Sequence, residues 1–345
     1  MKDLVAECSA KNGSVREQPG ATPRGACRHV VGEMAQHGTD RKRTLGGAVT
    51  VGGYRFGSLV ARLTPAFVAQ NTSALLAPTI ALSLRDKRAI FERHLSRVVP
   101  GVGGLQRRRM AQQAFDSYVR YYLESFRLPD LSSRYVDKMF SVQGFANIEA
   151  ALERGKGVIL ALPHLGGWEW AGRWMADRGH KLTVVVEALQ PPELFEWFTN
   201  LRSELGMNVV PLGPSAAPSV LSALRANEIV CLLCDRDIQG GGVSVDFFGE
   251  RTTLPAGPAM LGLRAGATVL PTAVYFTKRT DGHHAVVSEG LDMSRGDSLR
   301  SDVARITQDL AEQLEKLIRR APEQWHLFQP NWPSDPGYPH TAPQE

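Results

Sequence analysis

An α/β fold with a mainly parallel central sheet and helices on both faces is predicted by three features of the 345-residue chain. From residue 155 onward, short apolar runs alternate with longer amphipathic stretches, the pattern of strands and helices in turn. The runs are continuously apolar rather than alternating, as strands covered on both faces are. The composition is that of a globular domain: 43% hydrophobic, 22% charged, with no internal repeat. An N-terminal helical segment facing a membrane completes the expected architecture.

Residues 1–46 are polar and Gly-rich, end near Arg41-Lys42-Arg43, and lack the apolar core of a secretory signal. They read as a disordered tail, with a single domain over 47–330 divided into N-terminal helices (47–140) and an α/β core (141–330). Between Arg62 and Arg85 no charged residue occurs. Gln70-Asn71-Thr72-Ser73, Pro65 and Pro78 interrupt this stretch, so it reads as a non-spanning hydrophobic helix pair on the core or the membrane. Residues 85–127 carry ten Lys or Arg against four acids, so their +6 exceeds the +5 of the whole chain. Phe115, Tyr118, Val119, Tyr122 and Phe126 recur there at helical spacing. This stretch is either a solvated face over a core stripe or a surface for anionic lipid.

In the core, Gly157–Leu162 is a buried strand, followed by a helix through Trp168–Asp177. Strand Leu182–Val186 precedes helix Pro192–Leu205. A short strand at Val209-Val210 leads to a helix over Ser215–Ala226. Ile229–Cys234 and Thr268–Phe276 are further strands, separated by a helix near Ala256–Ala265. The last helix, about Ser298–Arg320, places Val303, Ile306, Leu310, Leu314 and Leu317 on one face. Pro330–Glu345 is Pro-rich, and 331–345 reads as a flexible tail.

Mean hydropathy is −0.19, which argues against a polytopic membrane protein. A pI near 9.1 suits an anionic membrane or substrate. No zinc-finger or RNP-type motif points to nucleic acid. Cys231 and Cys234 form a C-x-x-C inside an apolar run, without a second pair for zinc; they read as small buried hydrophobes. His283-His284 lacks the partners of a metal site.

The chemistry centres on His164, which follows a buried strand through Pro163. Ligands of open α/β sheets bind beyond the carboxyl ends of strands. Glu169 lies five residues on, in His-Leu-Gly-Gly-Trp-Glu. Five residues turn roughly 500° on an ideal helix, so the two side chains meet only if His164 precedes the helix. Gly166 and Gly167 give the flexible entry this requires. Asp235-Arg236-Asp237 ends a second strand on the same edge, so Asp235 or Asp237 is the rival partner of His164. Glu187 ends the strand Leu182–Val186. Leu254–Pro258 caps a helix whose N-terminus could offer backbone donors. There is no G-x-S-x-G elbow and no P-loop.

Leu-Pro-His-Leu-Gly-Gly-Trp-Glu-Trp-Ala-Gly (162–172), Asp-Arg-Asp (235–237), Asp-Phe-Phe-Gly-Glu (246–250), Leu-Pro-Ala-Gly-Pro-Ala (254–259) and Trp-His-Leu-Phe (325–328) occur in this order. Over roughly residues 50–330, the chain resembles the bacterial lysophospholipid acyltransferase-like family that includes the lipid A lauroyl and myristoyl acyltransferases. It is most similar to the actinobacterial branch, the phosphatidylinositol mannoside acyltransferases. Many relatives have Asp where this chain has Glu169. The resemblance implies acyl transfer from acyl-CoA, a co-substrate, to a sugar hydroxyl of a membrane glycolipid, with no cofactor and no metal. His164 is then the base and Glu169 its orienter, with Asp235 or Asp237 as the rival. Glu187, Arg202, Asp235, Arg236, Asp237, Phe247, Phe248, Gly249 and Glu250 are implied to bind substrate, one of the two Phe residues being core. The Trp325-His326 pair reads as a structural lid. The implied location is peripheral, on the cytoplasmic face of the inner membrane. Other lysophospholipid or lipid A-type acyl transfer, and a non-catalytic lipid-binding protein of the same fold, are the alternatives.

Overall fold

A computed structural model describes residues 45–63, 84–188 and 191–339. All of the described residues belong to one compact unit, Leu45–Glu345. The tail expected over 1–46 lies outside them except at its end, where helix α1 (Leu45–Leu63) begins. The helix pair expected between Arg62 and Arg85 falls mostly on 64–83, also outside the described residues. Among the described residues, no helix is long and apolar enough to cross a membrane.

Seven strands form the central sheet in the order β1-β9-β8-β2-β5-β3-β4. Five of them, β8 (Thr268–Phe276), β2 (Val158–Leu162), β5 (Ile229–Leu233), β3 (Leu182–Val186) and β4 (Met207–Pro211), run parallel. β9 (His283–Val287) is antiparallel to β8, and the edge strand β1 (Phe140–Gln143) is parallel to β9. The mainly parallel α/β sheet expected from the alternating pattern is therefore present, with two reversed strands at one edge.

The pleat divides each strand between two cores. Ile159, Ala161, Val230 and Leu232 face a cluster with Phe91, Phe115, Leu224 and Leu314. Val158, Leu160, Leu162 and Ile229 face the other, with Ile148, Trp170, Trp174 and Met175. This two-sided burial is why β2 reads as an unbroken apolar run; all five of its residues are buried. On the first face lie α2 (Arg85–Val98), α3 (Gly104–Arg127), α8 (Ala216–Arg225), α9 (Gly257–Ala265) and α10 (Leu299–Arg319). The second is covered by α4 (Ser133–Lys138), α5 (Phe145–Glu153) and α6 (Trp168–Asp177). α7 (Pro192–Glu204) packs with α1 and the end of α3 in a smaller aromatic cluster. α10 buries the predicted stripe, with Ile306 and Leu314 fully covered and Ser298 capping the N-terminus through its side chain.

Three features depart from the sequence reading. β1 and α5 were not expected: β1 has only four residues of alternating half-exposed and exposed side chains, too weak a periodic signal. β6 (Val243–Phe247) and β7 (Glu250–Leu254) pair as an antiparallel hairpin separate from the main sheet. The third is a correction: the segment expected to be flexible from 331 is packed, with Trp332 fully buried and Asn331 and Asp335 nearly so. The Asp335 carboxylate explains this. It accepts hydrogen bonds from the Asn331 and Trp332 backbone N–H groups at 3.0 and 3.2 Å, faces His94 Nε2 at 3.2 Å, and pairs with Arg97 at 2.9 Å. Burial pushes this carboxyl up, but His94 and those N–H donors outweigh it, leaving it well below the usual carboxylate range.

Half of the basic residues in 85–127 are likewise held in intramolecular ion pairs. Arg88 meets Glu92, Arg93 and Arg97 meet Asp335, Arg120 meets Glu124, and Arg127 meets Asp281. Arg93, Arg97 and Arg127 thereby tie α2 and α3 to other parts of the fold, while Arg88 and Arg120 pair within their own helices.

Candidate active site

Adjacent parallel strands bring the central pair together. β2 and β5 are in register from Val158↔Ile229 to Leu162↔Leu233, and the Cys234 N–H donates to Leu162 O at 2.9 Å. The next residues on the two strands, His164 after Pro163 and Asp235 after Cys234, are then neighbours beyond the carboxyl edge. His164 Nδ1 lies 2.6 Å from Asp235 Oδ1, and the His164 N–H donates to Asp235 Oδ2 at 2.9 Å. Trp325 Nε1–H donates to the same Oδ2 at 2.7 Å. Asp235 is fully buried, whereas the His164 side chain is 30% exposed. Burial disfavours the imidazolium, but the Asp235 charge and hydrogen bond outweigh it and raise the His164 pKa. Burial likewise pushes Asp235 up, and His164 and Trp325 more than reverse it, so Asp235 is lowered. A carboxylate on Nδ1 holds the proton there and leaves Nε2 free to accept another.

This geometry corrects the assignment of Glu169 as the partner of His164. Glu169 sits in the first turn of α6 and is 2% exposed. Its Oε1 accepts from Tyr121 Oη at 2.5 Å and Arg202 Nη2 at 3.0 Å. The chain between them turns away at Gly166, whose φ is +62°. A Cβ there would be driven into the Val274 carbonyl oxygen, and one at Gly167 into the His283 ring. Gly166→Ala is expected to destabilise the protein by about 2–4 kcal/mol, combining left-handed strain and steric overlap. A thermal-unfolding midpoint lowered by several degrees checks this; an unchanged midpoint refutes it.

The pair opens onto a cleft of about 390 Å³. His164, Glu187, Arg202 and Arg236, all expected from the sequence, line it. Glu187 and Arg236 face each other at 3.9 Å. Arg202 is 8% exposed, its guanidinium lies 4.8 Å from the Trp168 ring centroid, and its Nε has no protein partner among the described residues. Burial also raises the Glu169 pKa against the pull of Arg202.

The other expected binding residues lie elsewhere. Asp237 accepts from the Gly240 and Gly242 N–H groups at 3.0 and 2.8 Å and braces that turn. Phe247 and Phe248 are both core, packed with Trp325 and Trp332, and Gly249 completes the β6–β7 turn. Glu250 binds Arg97 at 2.6 Å. These residues cluster in sequence around a hairpin whose side chains the aromatic core claims.

Tyr118, Tyr121, Tyr122, Trp168 and His326 also line the cleft and were not predicted as site residues. The tyrosines were legible only as a helical stripe. His326 N–H donates to His164 O at 2.7 Å, and its ring meets Ser117 Oγ at 2.8 Å. Burial, then the His164 charge, push its pKa down to about 3, so this imidazole is neutral. Behind Trp168, Val186 and Leu233, which line both spaces, lies an apolar cavity of about 60 Å³ between the sheet, α5 and α6. Cys231 lines this cavity, and burial pushes its thiol up to about 12, consistent with an inert packing residue.

The family described as bacterial lipid A biosynthesis acyltransferase matches residues 48–334. A protein of Mycolicibacterium smegmatis named phosphatidylinositol mannoside acyltransferase is 35% identical over 294 residues, 84% of this chain and 94% of the relative. One of the same name from Mycobacterium tuberculosis is 41% identical over 227 residues, 64% and 70% of the two. A lipid A biosynthesis acyltransferase of Haemophilus influenzae is 25% identical over 198 residues, 56% and 59%. The match spans the sheet, the His164–Asp235 pair and the cleft: the chain belongs to the bacterial lipid A biosynthesis acyltransferase family and is an acyltransferase.

Proposed function

We propose that the protein transfers a fatty acyl group from acyl-CoA to a sugar hydroxyl of a phosphatidylinositol mannoside. The observation that carries this reading is the His164 Nδ1–Asp235 contact of 2.6 Å beside the cleft, together with relatives named for that acceptor. His164 Nε2 removes the proton of the acceptor hydroxyl as its oxygen attacks the thioester carbonyl carbon. The tetrahedral intermediate collapses with cleavage of the C–S bond, and the imidazolium returns the proton to the CoA sulfur. A thioester is already activated, so no covalent enzyme intermediate is required.

Arg202, whose Nε lacks a protein partner among the described residues, donates to a substrate oxygen, with Glu169 and Tyr121 fixing its position. Glu187 and Arg236, at the cleft wall, contact the sugar or CoA. The apolar wall of the cleft formed by Phe198, Val220, Leu232 and Leu261 receives the acyl chain. The protein acts peripherally at the cytoplasmic leaflet; contact with a membrane surface is supported by the exposed Phe56, Leu59 and Leu63 of α1, and by exposed Leu105 beside the Arg107–Arg109 run on α3. With palmitoyl-CoA and a mannosylated phosphatidylinositol, the expected result is acceptor-dependent release of CoA with a heavier acylated lipid by mass spectrometry. Release independent of acceptor would identify a thioesterase. Turnover only with a lipid A precursor or a lysophospholipid would replace the acceptor assignment.

A further inference from the structure

The segment after α10 crosses the whole site. Gln324–His326 lies beside Leu165 as a short antiparallel bridge: the Gly166 N–H donates to Gln324 O at 3.0 Å and the His326 N–H to His164 O at 2.7 Å. Trp325, fully buried, donates its indole N–H to Asp235 Oδ2 at 2.7 Å. Six residues on, Asn331 Nδ2 donates to the Asp235 backbone O at 3.1 Å. The Asn331 N–H is itself bound at 3.0 Å by Asp335, which His94 and Arg97 of α2 hold in place. Both ends of Asp235 are therefore gripped by one C-terminal stretch anchored on α2.

We infer that Trp325–Asp335 is a clasp whose function is to aim the Asp235 carboxylate at His164, with Trp325 and Asn331 as positioning residues and Asp335 as their anchor. The carboxylate has two oxygens and several donors competing for them. With Oδ2 taken by the indole and by the His164 N–H, Oδ1 is the oxygen left for Nδ1. Without the indole, the His164 N–H is the one remaining donor on Oδ2 among the described residues, the carboxylate is held less firmly in this orientation, and the share of molecules with a correctly held imidazole falls. The donor belongs to the C-terminal segment, so the His164–Asp235 geometry is complete only when that segment has packed.

The inference rests on His164 being the base in the proposed reaction, and the test separates the two. Trp325→Phe removes the donor while keeping an aromatic ring in the cluster, at the cost of some packed volume. It is expected to lower kcat about ten- to a hundredfold with KM little changed, the size of a hydrogen bond to a charged group. Losing the aim weakens the Asp235 charge and hydrogen bond that raise the His164 pKa against burial, so His164 gives up its proton more readily and the acidic limb of the pH–rate profile moves to lower pH. The other charged or titratable groups facing His164 are Arg236, Glu187 and His326, and the substitution leaves all three in place. Asp335→Asn, remote from the cleft, should give the same split at smaller size. A merely structural role would reduce the yield of folded protein while its kcat and pH profile stayed at wild-type values, and that result overturns the clasp. NMR titration of the His164 imidazole reads the same geometry without turnover. If the wild type transfers no acyl group, the base reading fails alone, and a downward-shifted titration in Trp325→Phe still supports the clasp. Unchanged or upward-shifted titration in both variants overturns it whatever the activity.

Discussion

His164→Ala is expected to lower kcat for acyl transfer by about two to four orders of magnitude, the usual contribution of a general base. The imidazole is the only group at the cleft whose free nitrogen is set up by a buried carboxylate on the other side of the ring, among the described residues. His326 cannot stand in for it: its ring hydrogen-bonds Ser117, and burial holds its pKa far below neutrality. The side chain of His164 is 30% exposed, so its truncation opens no large cavity and the fold should survive, with an unfolding midpoint close to wild type. In the wild type the base must be unprotonated, so rate rises with pH through the His164 pKa, which lies above the usual imidazole value. Activity is lost as pH falls through that raised value. The mutant should lose this limb. A mutant that keeps wild-type kcat and the limb would remove His164 from the mechanism.

The second large effect separates the two carboxylates. Asp235→Asn is expected to reduce kcat by about two to four orders of magnitude, because it inverts the tautomer. An Asn amide placed with its NH₂ toward Nδ1 turns that nitrogen into an acceptor, so the mobile proton moves to Nε2 and the base is blocked. Glu169→Gln should behave differently. It strips the countercharge from Arg202, which is 8% exposed and bound to Glu169 at 3.0 Å. Leaving a buried cation unpaired costs about 3–5 kcal/mol, seen as a lowered unfolding midpoint and a raised KM. The His164 limb of the pH profile should persist in Glu169→Gln and vanish in Asp235→Asn. Stopped assays of kcat and KM from pH 5 to pH 9 with both variants make the comparison, and the opposite pattern would restore Glu169 as the partner of His164.

Local features were legible in the chain itself. The continuous apolar runs announced strands buried on both faces, and the structure has them at Val158–Leu162, Leu182–Val186 and Ile229–Leu233. The Ile306–Leu317 stripe announced α10, and the His-x-Gly-Gly turn after a strand marked the edge where the cleft opens. These signals depend on neighbours within a few residues, where period and turn chemistry are set by the backbone. The partner of His164 was not of that kind. Glu169, five residues away, looked nearest along the chain, yet Gly166 turns the backbone and Tyr121 and Arg202 take its carboxylate. Asp235, 71 positions away, became the partner through the β2–β5 register. The hairpin residues Phe247 to Glu250, which stand beside the motif in sequence, went to the core and to Arg97. The Pro-rich end, polar by composition, was drawn in by Trp332 and by a buried carboxylate at Asp335. Spacing along the chain thus determined the strands, the last helix and the edge that bears the site. Which side chains meet there was decided by strand register and by the competition of buried donors for two carboxylates, because those contacts join segments that only the folded sheet brings within hydrogen-bond reach.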